Sequence, residues 1–414
     1  QRQMCIRDSL KALLPDTALR RRVAIPALIR LRGSAGADRG TFSTASTLSA
    51  DGGELSVKGR FNPREQSYDA AIRANSFPLN GFLPADSLGI VDLALQARGT
   101  GFDPLLPRTR TSLRAQIGRA EFGGRDFGGI ELDAELDSQR LSGRISDRDE
   151  ALRLLLSVSG TLTEREQRIG LSGSVFGFDL AALGVSPEPI GGSFALDASA
   201  SAAGKGAYAA RIALDSIEIR NKHRTDRIRP TSVSLHTDSA TTRAEAASGD
   251  LSLTFSTPQS ADSLIAALTR SARTLAGQID AQSIDMEQLK PALPDFALRV
   301  SAGPDNILNS LLKSRKIAFD ALNAEGANCD SLPVSIRLRT EGLAYGNVVL
   351  DTVTADIRQN GKRLEYALGL ANVPGNLDNI ARAGLYGHLV RNTGQANLCL
   401  LYTSDAADDL IGVD

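Results

Sequence analysis

The sequence predicts an all-β chain of mainly antiparallel strands with a few short helical interruptions. Three observations predict it: two-residue alternation runs through most of the chain, glycine-containing turns separate the alternating runs, and helical spacing is confined to short stretches. At 414 residues, the length allows roughly two to four domains or one array built by repetition.

The strands are read in order from alternation. Leu132, Ala134 and Leu136 form one such run, followed by Tyr208, Ala210, Ile212 and Leu214. Further runs are Leu251, Leu253 and Phe255, then Val334, Ile336 and Leu338, then Leu364, Tyr366, Leu368 and Leu370. In the last of these Glu365, Ala367 and Gly369 occupy the opposite face, as in a sheet with one dry and one wet side. Turns are expected at Asp51-Gly52-Gly53, Gly123-Gly124, Gly128-Gly129 and Asn360-Gly361. The last lies between Val353–Ile357 and Leu364–Leu370 and predicts an antiparallel hairpin.

Helical spacing follows Pro258 at Leu264, Ile265, Leu268 and Leu275. Pro304 is placed as a first helical residue before Ile307, Leu308, Leu311 and Leu312, because a first-turn N–H has no helical partner to lose. Leu10, Leu13 and Leu14 suggest another short helix ending at Pro15.

These interruptions recur. Leu14-Pro15-Asp16-Thr17-Ala18-Leu19-Arg20 is echoed by Leu293-Pro294-Asp295-Phe296-Ala297-Leu298-Arg299. A second theme, a strand end followed by a short apolar element, occurs at Phe77–Pro84, Phe178–Leu183 and Ile284–Leu289. Units of several strands plus a short helix or loop point to an array in which each unit buries its dry face on its neighbours.

Composition excludes several classes. A formal net charge of -1 gives no basic footprint for nucleic acid. No run approaches the ~18 apolar residues of a membrane span, and three Cys cannot staple a disulfide-rich scaffold. Aromatic residues are 5% of the chain and Trp is absent, which is sparse for a compact core.

The two ends are expected to be foreign to the fold. A possible coding sequence for Cys399–Asp408, reverse-complemented and read in a shifted frame, encodes Gln1–Asp8. One DNA word at both ends is the mark of a sequencing adapter, so residues 1–9 and 399–414 are expected to be adapter translation and 10–398 an internal segment of a longer protein. Without those ends the segment carries a net charge of +2, Cys329 as its single Cys and Met286 as its single Met. Any membrane anchor is then expected outside 10–398.

Catalytic constellations are sparse. His223, His236 and His388 have no His or Cys within four positions, so zinc spacing fails. His223 reads as a solvated loop residue and His236 as a wet-face strand residue. Cys329 sits in a loop-like context with no local base to activate a nucleophile. Gly123–Gly129 lacks the following helix that a phosphate loop needs. Asp147, Asp149 and Glu150 fall in a mixed-charge run expected to be a solvated loop, and sequence spacing cannot supply the ~5–9 Å separation of a glycosidase pair. No enzyme, cofactor or metal is expected.

Several stretches in order resemble one family. They are Phe77–Gly89, Ala97–Pro104, Phe178–Leu183, Leu293-Pro294-Asp295, Gly303–Leu308 and Ala371–Asn376. Together they are similar to the TamB branch of the AsmA-like translocation and assembly module proteins, in their Bacteroidetes form, over about Leu10 to Leu398. The resemblance implies an elongated, twisted sheet curled into a hydrophobic groove or gutter. It also implies a periplasmic protein, anchored in the inner membrane outside this segment, that conducts phospholipid between the membranes. The branch is linked as well to assembly of outer-membrane β-barrels with a TamA- or BamA-type partner. It supplies no catalytic residues.

On that expectation, Leu251, Leu253, Phe255, Val334, Ile336, Leu338, Leu364, Tyr366, Leu368 and Leu370 line a lipid groove and meet phospholipid acyl chains. Shielding a 16-carbon chain from water offsets roughly 12 kcal/mol at ~0.8 kcal/mol per methylene. Alternation by itself does not separate an open groove from two dry faces packed as a sandwich core. The second expectation is therefore a structural β-rich scaffold, or a chaperone that binds strands by its sheet edges, without lipid transport. A β-helical carbohydrate enzyme comes third and requires acidic residues gathered in a cleft.

Overall fold

The computed structural model describes residues 23–401, apart from residues 25, 27, 84–87, 205, 223, 314, 330, 347, 373–381 and 392. The chain is all-β: most described residues belong to one large antiparallel sheet that does not close on itself, with three short helices. The expected short helix near Leu10–Leu14, the Leu14–Arg20 repeat copy, His223 and the Pro374–Asn376 stretch lie outside the described residues.

The chain divides into two compact units, residues 1–199 with 218–225, and residues 200–217 with 226–414. In the first, strands β1 (Ile29–Asp38), β2 (Thr41–Ala50), β3 (Gly53–Asn62), β4 (Ser67–Pro78), β5 (Leu88–Thr100) and β6 (Arg110–Phe122) pair in sequence. The short β7 (Arg125–Phe127) extends the end of β6, which also pairs with β8 (Ile130–Asp137). β9 (Arg140–Arg148), β10 (Leu152–Leu162) and β11 (Glu166–Asp179) continue the meander.

β12 (Gly191–Ala203), β13 (Ala207–Arg220) and β14 (Thr225–Ile228) follow. In the second unit β13 pairs with β15 (Thr231–Thr237), and the order runs on through β16 (Thr242–Ser248), β17 (Leu251–Thr257) and β18 (Phe296–Ala302). Helices α1 (Ala261–Asp280) and α2 (Met286–Ala292) interrupt the chain between β17 and β18, and α3 (Ile307–Lys313) follows β18. After β19 (Ile317–Ala318), the strands β20 (Ala321–Cys329), β21 (Leu332–Tyr345), β22 (Val348–Asn360), β23 (Arg363–Ala371), β24 (Arg382–Val390) and β25 (Thr393–Leu401) pair in turn. β25 runs three residues past the expected boundary at Leu398, with Gly384 opposite Cys399.

Turn chemistry fixes much of this register. Asp51 and Gly52 both have positive φ, 47° and 86°, as a two-residue hairpin loop that follows strand twist requires. Asn360 closes β22 opposite Arg363, so the loop is Gly361-Lys362, with Gly361 at φ 57°. The expected Asn-Gly turn is thus shifted by one residue, because the asparagine is held in the ladder.

The helices have local causes. Ser260 caps α1, its side chain accepting from the Ser263 N–H, and Asp285 caps α2 by accepting from the Glu287 N–H. Pro304 is not the first helical residue of α3. Asn306 takes the capping role instead, its Oδ1 accepting from the Asn309 N–H at 2.9 Å, and α3 begins at Ile307. The repeated short element also has a common geometry. Leu83, Leu183 and Leu289 donate their N–H to the carbonyls of Leu79, Asp179 and Asp285, so each element opens on one helical turn, which only α2 continues into a longer helix.

These turns carry the two buried apolar clusters. In the first unit Ala50, Ala74 and Phe77 are buried beneath Leu79 and Phe82, with Phe77 and Phe82 stacked at 5.1 Å. In the second, Met286 and Leu289 of α2 bury Val334, and Ile284, Leu293 and Leu364 pack around them.

Candidate functional site

Cross-strand register converts alternation into rows. In the second unit one row passes through Ile212, Val233, Ala246, Leu253, Val300, Ala324, Leu338, Ala355, Leu368, Leu385 and Leu398, one residue from each successive strand. No member is polar. Ten strand-to-strand steps of about 4.8 Å make a path of roughly 48 Å.

A second row lies two residues away on the same face. It runs through Ala210, Leu235, Ala244, Phe255, Leu298, Gly326, Ile336, Ile357, Tyr366, Gly387 and Ala396. Phe255 stacks on Phe296 at 6.4 Å beside it. The first unit carries a matching row of Val57, Ile72, Leu95, Ala115, Leu132, Ile145 and Leu156.

The sequence-expected lining residues therefore fall into distinct places. Leu253, Leu338 and Leu368 share the first row, and Phe255, Ile336 and Tyr366 share the second. Leu251 pairs with Ser248, while Leu370 pairs with Val353 and Ala383 one step further along. Val334 and Leu364 stand apart: Val334 is buried by α2, and Leu364 packs on the same cluster. The covering helix comes from a segment far from both in sequence, so nothing in their own alternation marks them.

Apart from Leu156, which is buried, the members of these rows are half-buried or exposed. Ile212, Val233, Leu235, Ile336 and Leu368 keep between 40% and 47% of their surface exposed, unlike residues sealed between two packed sheets. A contiguous, partly exposed apolar strip of this kind ordinarily marks a binding face.

The opposite face is charged and internally paired. Arg299, Glu325, Arg337 and Asp356 stand opposite one another in register. Arg299 lies 3.3 Å from Glu325, and Arg337 lies 3.7 Å from Asp356. In the first unit Arg98 pairs with Asp69 at 3.2 Å, Arg110 with Asp137 at 2.9 Å and Arg114 with Asp133 at 2.6 Å. Hollows of about 700 Å³ beside Arg98, Arg114 and Arg144, and about 710 Å³ beside Arg299, Arg337 and Asp356, are walled chiefly by this face. Exposed pairs of this sort contribute little to stability; they keep the face wet and fix which side of the sheet is dry.

The remaining candidates resolve individually. Asp147 is not in a solvated loop. It lies in β9 and is buried, and burial pushes its carboxyl above the usual range although its Oδ1 accepts the Asp149 N–H at 2.9 Å. Cys329 ends β20 rather than sitting in a loop, with Ser331 Oγ 3.4 Å from its sulfur. His236 is exposed on β15, paired with Ala209 and Arg243. Among the described residues no group of three or more His, Cys, Asp or Glu is arranged to hold a metal ion. No helix of the described residues is long and apolar enough to cross a membrane. Neither protein-family models, curated proteins nor solved structures give a match to this chain.

Proposed function

We propose that the apolar rows are a track for the acyl chains of phospholipid, and that the chain is part of a periplasmic conduit between inner and outer membranes of the TamB type. The observation that carries this reading is the row from Ile212 to Leu398, apolar in every strand, with no member buried and with Ile212, Val233, Leu368 and Leu398 exposed. An acyl chain lying on such a row stays out of water at each step, and its headgroup remains in solvent. A chain of about 16 carbons then avoids most of the roughly 12 kcal/mol cost of exposure. No bond is made or broken, so the task calls for no catalytic group and no cofactor.

Site-specific photocrosslinking in cells, in the full-length parent protein, tests the proposal. A crosslinker at Leu253, Leu338 or Leu368 is expected to capture phospholipid, whereas one at Arg299 or Arg337 on the opposite face is not. Crosslinks at the row that contain only protein overturn the conduit.

A second reading, a scaffold or chaperone for outer-membrane barrel strands acting with a TamA- or BamA-type partner, is favoured by one observation. Among the described residues β1 pairs only with β2, so its outer edge can accept an added strand. That reading predicts crosslinks from β1 to nascent barrel strands and none to lipid from the rows.

A further inference from the structure

Between β15 and β21 the dry face is bounded as well as apolar. On β16 its residues are, in order, Thr242, Ala244, Ala246 and Ser248; on β21 they are Val334, Ile336, Leu338 and Thr340. In both strands the outer two are buried and the inner two half-buried or exposed. β17, β18 and β20 are each sealed at one dry-face end in the same way, at Thr257, Ala302 and Asn328. The inner positions belong to the two rows that pass through Leu253 and Phe255.

The seals come from the helical segments. On one side Thr237 Oγ1 accepts the Ala261 N–H at 3.0 Å where α1 begins, and Thr242 Oγ1 donates to the Gln259 carbonyl at 2.9 Å. Met286 and Leu289 of α2 cover Val334 on that same side. On the other, Ser248 Oγ accepts the Ile307 N–H at 3.1 Å where α3 begins. A buried hydroxyl needs a partner, and for these three the main chain of the covering segment supplies it.

The open floor is thus two residues wide, and its width selects what can lie on it. Residues two apart on one face stand about 6.7 Å from each other, and the steps from β15 to β21 span roughly 24 Å. An α-helix, about 10–12 Å across with its side chains, is wider than the floor. A peptide strand laid along the rows would cross the sheet's own strands, with its N–H and C=O groups over side chains that cannot pair with them. A polymethylene chain has no such groups. The length of a lipid tail is about half the hydrocarbon core of a bilayer, roughly 15 Å, and fits within the bounded stretch.

Resting on the lipid-track reading, we infer that the sealed edges set a selectivity: the floor takes the two tails of one lipid side by side, one on each row, and excludes lipids with more tails. Lipid then passes this stretch in single file, its tails along the rows and across the strands. The buried residues at the edges, Thr242, Ser248, Val334 and Thr340 among them, fix that width by holding the covering segments in place.

The test uses the whole chain with a photocrosslinker at Leu253, illuminated with mixed vesicles of phosphatidylethanolamine and hexa-acylated lipid A. Capture of phosphatidylethanolamine, per mole presented, is expected to exceed that of lipid A at least about tenfold, because each tail left off the floor exposes its methylenes to water. Ala246→Phe narrows the floor to one row and is expected to cut phosphatidylethanolamine capture by a similar factor, with the circular dichroism spectrum unchanged. Ala244→Leu narrows the other row with a smaller side chain and repeats the test if the first variant unfolds. Lipid A captured as readily as phosphatidylethanolamine overturns the width limit and leaves the lipid track standing. So does capture that neither variant changes. No lipid captured at Leu253 overturns the track itself, and the limit with it.

Discussion

Ile284 and Arg391 exchange both of their backbone hydrogen bonds, N to O at 2.9 Å in each direction. This two-residue bridge ties the entrance of α2 to the end of β24. Charge reinforces it: the Arg391 guanidinium lies 3.5 Å from Asp285 and 3.7 Å from Glu287, and Lys362 Nζ is 2.9 Å from Glu287. The helical turn over Val334 is therefore held by the ends of strands it does not follow in sequence.

Ile284→Pro deletes one donor of that bridge. Ile284 is half-buried and Arg391 exposed, so the lost bond costs about 0.5–1.5 kcal/mol, or roughly twofold to tenfold in local opening. Hydrogen exchange in Met286–Ala292 is expected to accelerate by that factor, with little change in β21 to β23.

Met286 is 1% exposed and is the largest fully buried side chain among those described. Met286→Ala leaves a cavity against Leu289 and Val334 and is expected to cost about 2–5 kcal/mol, read as a lower denaturant midpoint.

Leu368→Arg replaces a residue already 41% exposed, on a row that no second sheet seals. Its expected stability cost is below about 1.5 kcal/mol, because the long arginine stem lies along the row while its head reaches water. Denaturation checks that value. A cost as large as that of Met286→Ala contradicts an open face.

Two carboxyls have opposite pH signatures. Burial, only partly offset by backbone hydrogen bonds, raises Asp147 above its ordinary range. The folded state then takes up its proton more readily than the unfolded state, so this residue's contribution falls as pH rises through the carboxyl range. Hydrogen bonds from the Ala240 and Thr241 N–H groups lower Asp238, so its contribution is present above the ordinary carboxyl pKa and is lost as pH falls. Asp147→Asn is expected to be neutral or stabilising at pH 7, and Asp238→Asn to weaken the chain there and flatten its acid limb. Thermal midpoints between pH 3 and 7 check both signs.

Strand content and the side of each side chain were legible wherever apolar and polar residues alternate, as from Leu364 to Leu370, because alternation is local. Rows were not legible. That Leu253 and Leu368 share one follows from five successive pairings, two of them reached through helical connections and three through turns of their own. Some of those turns carry no sequence signal: Ser138 and Gln139, both at positive φ of 50° and 69°, turn β8 into β9 without a glycine. Asn306 as a cap was within reach, since an asparagine three residues before a buried helical position is a start signal. The burial of Asp147 was not, because its own neighbours in sequence are charged.

Sequential antiparallel pairing has a consequence for how such a chain can vary. Removing or adding one hairpin changes the row by two members, about 10 Å, and leaves the direction of both flanking strands unchanged. The dry and wet sides keep their identity, and no distant partner must be replaced. Reach is thus a quantity that duplication and deletion can adjust in even steps, with the helical turns over Phe77 and Val334 carried along as fixed fittings.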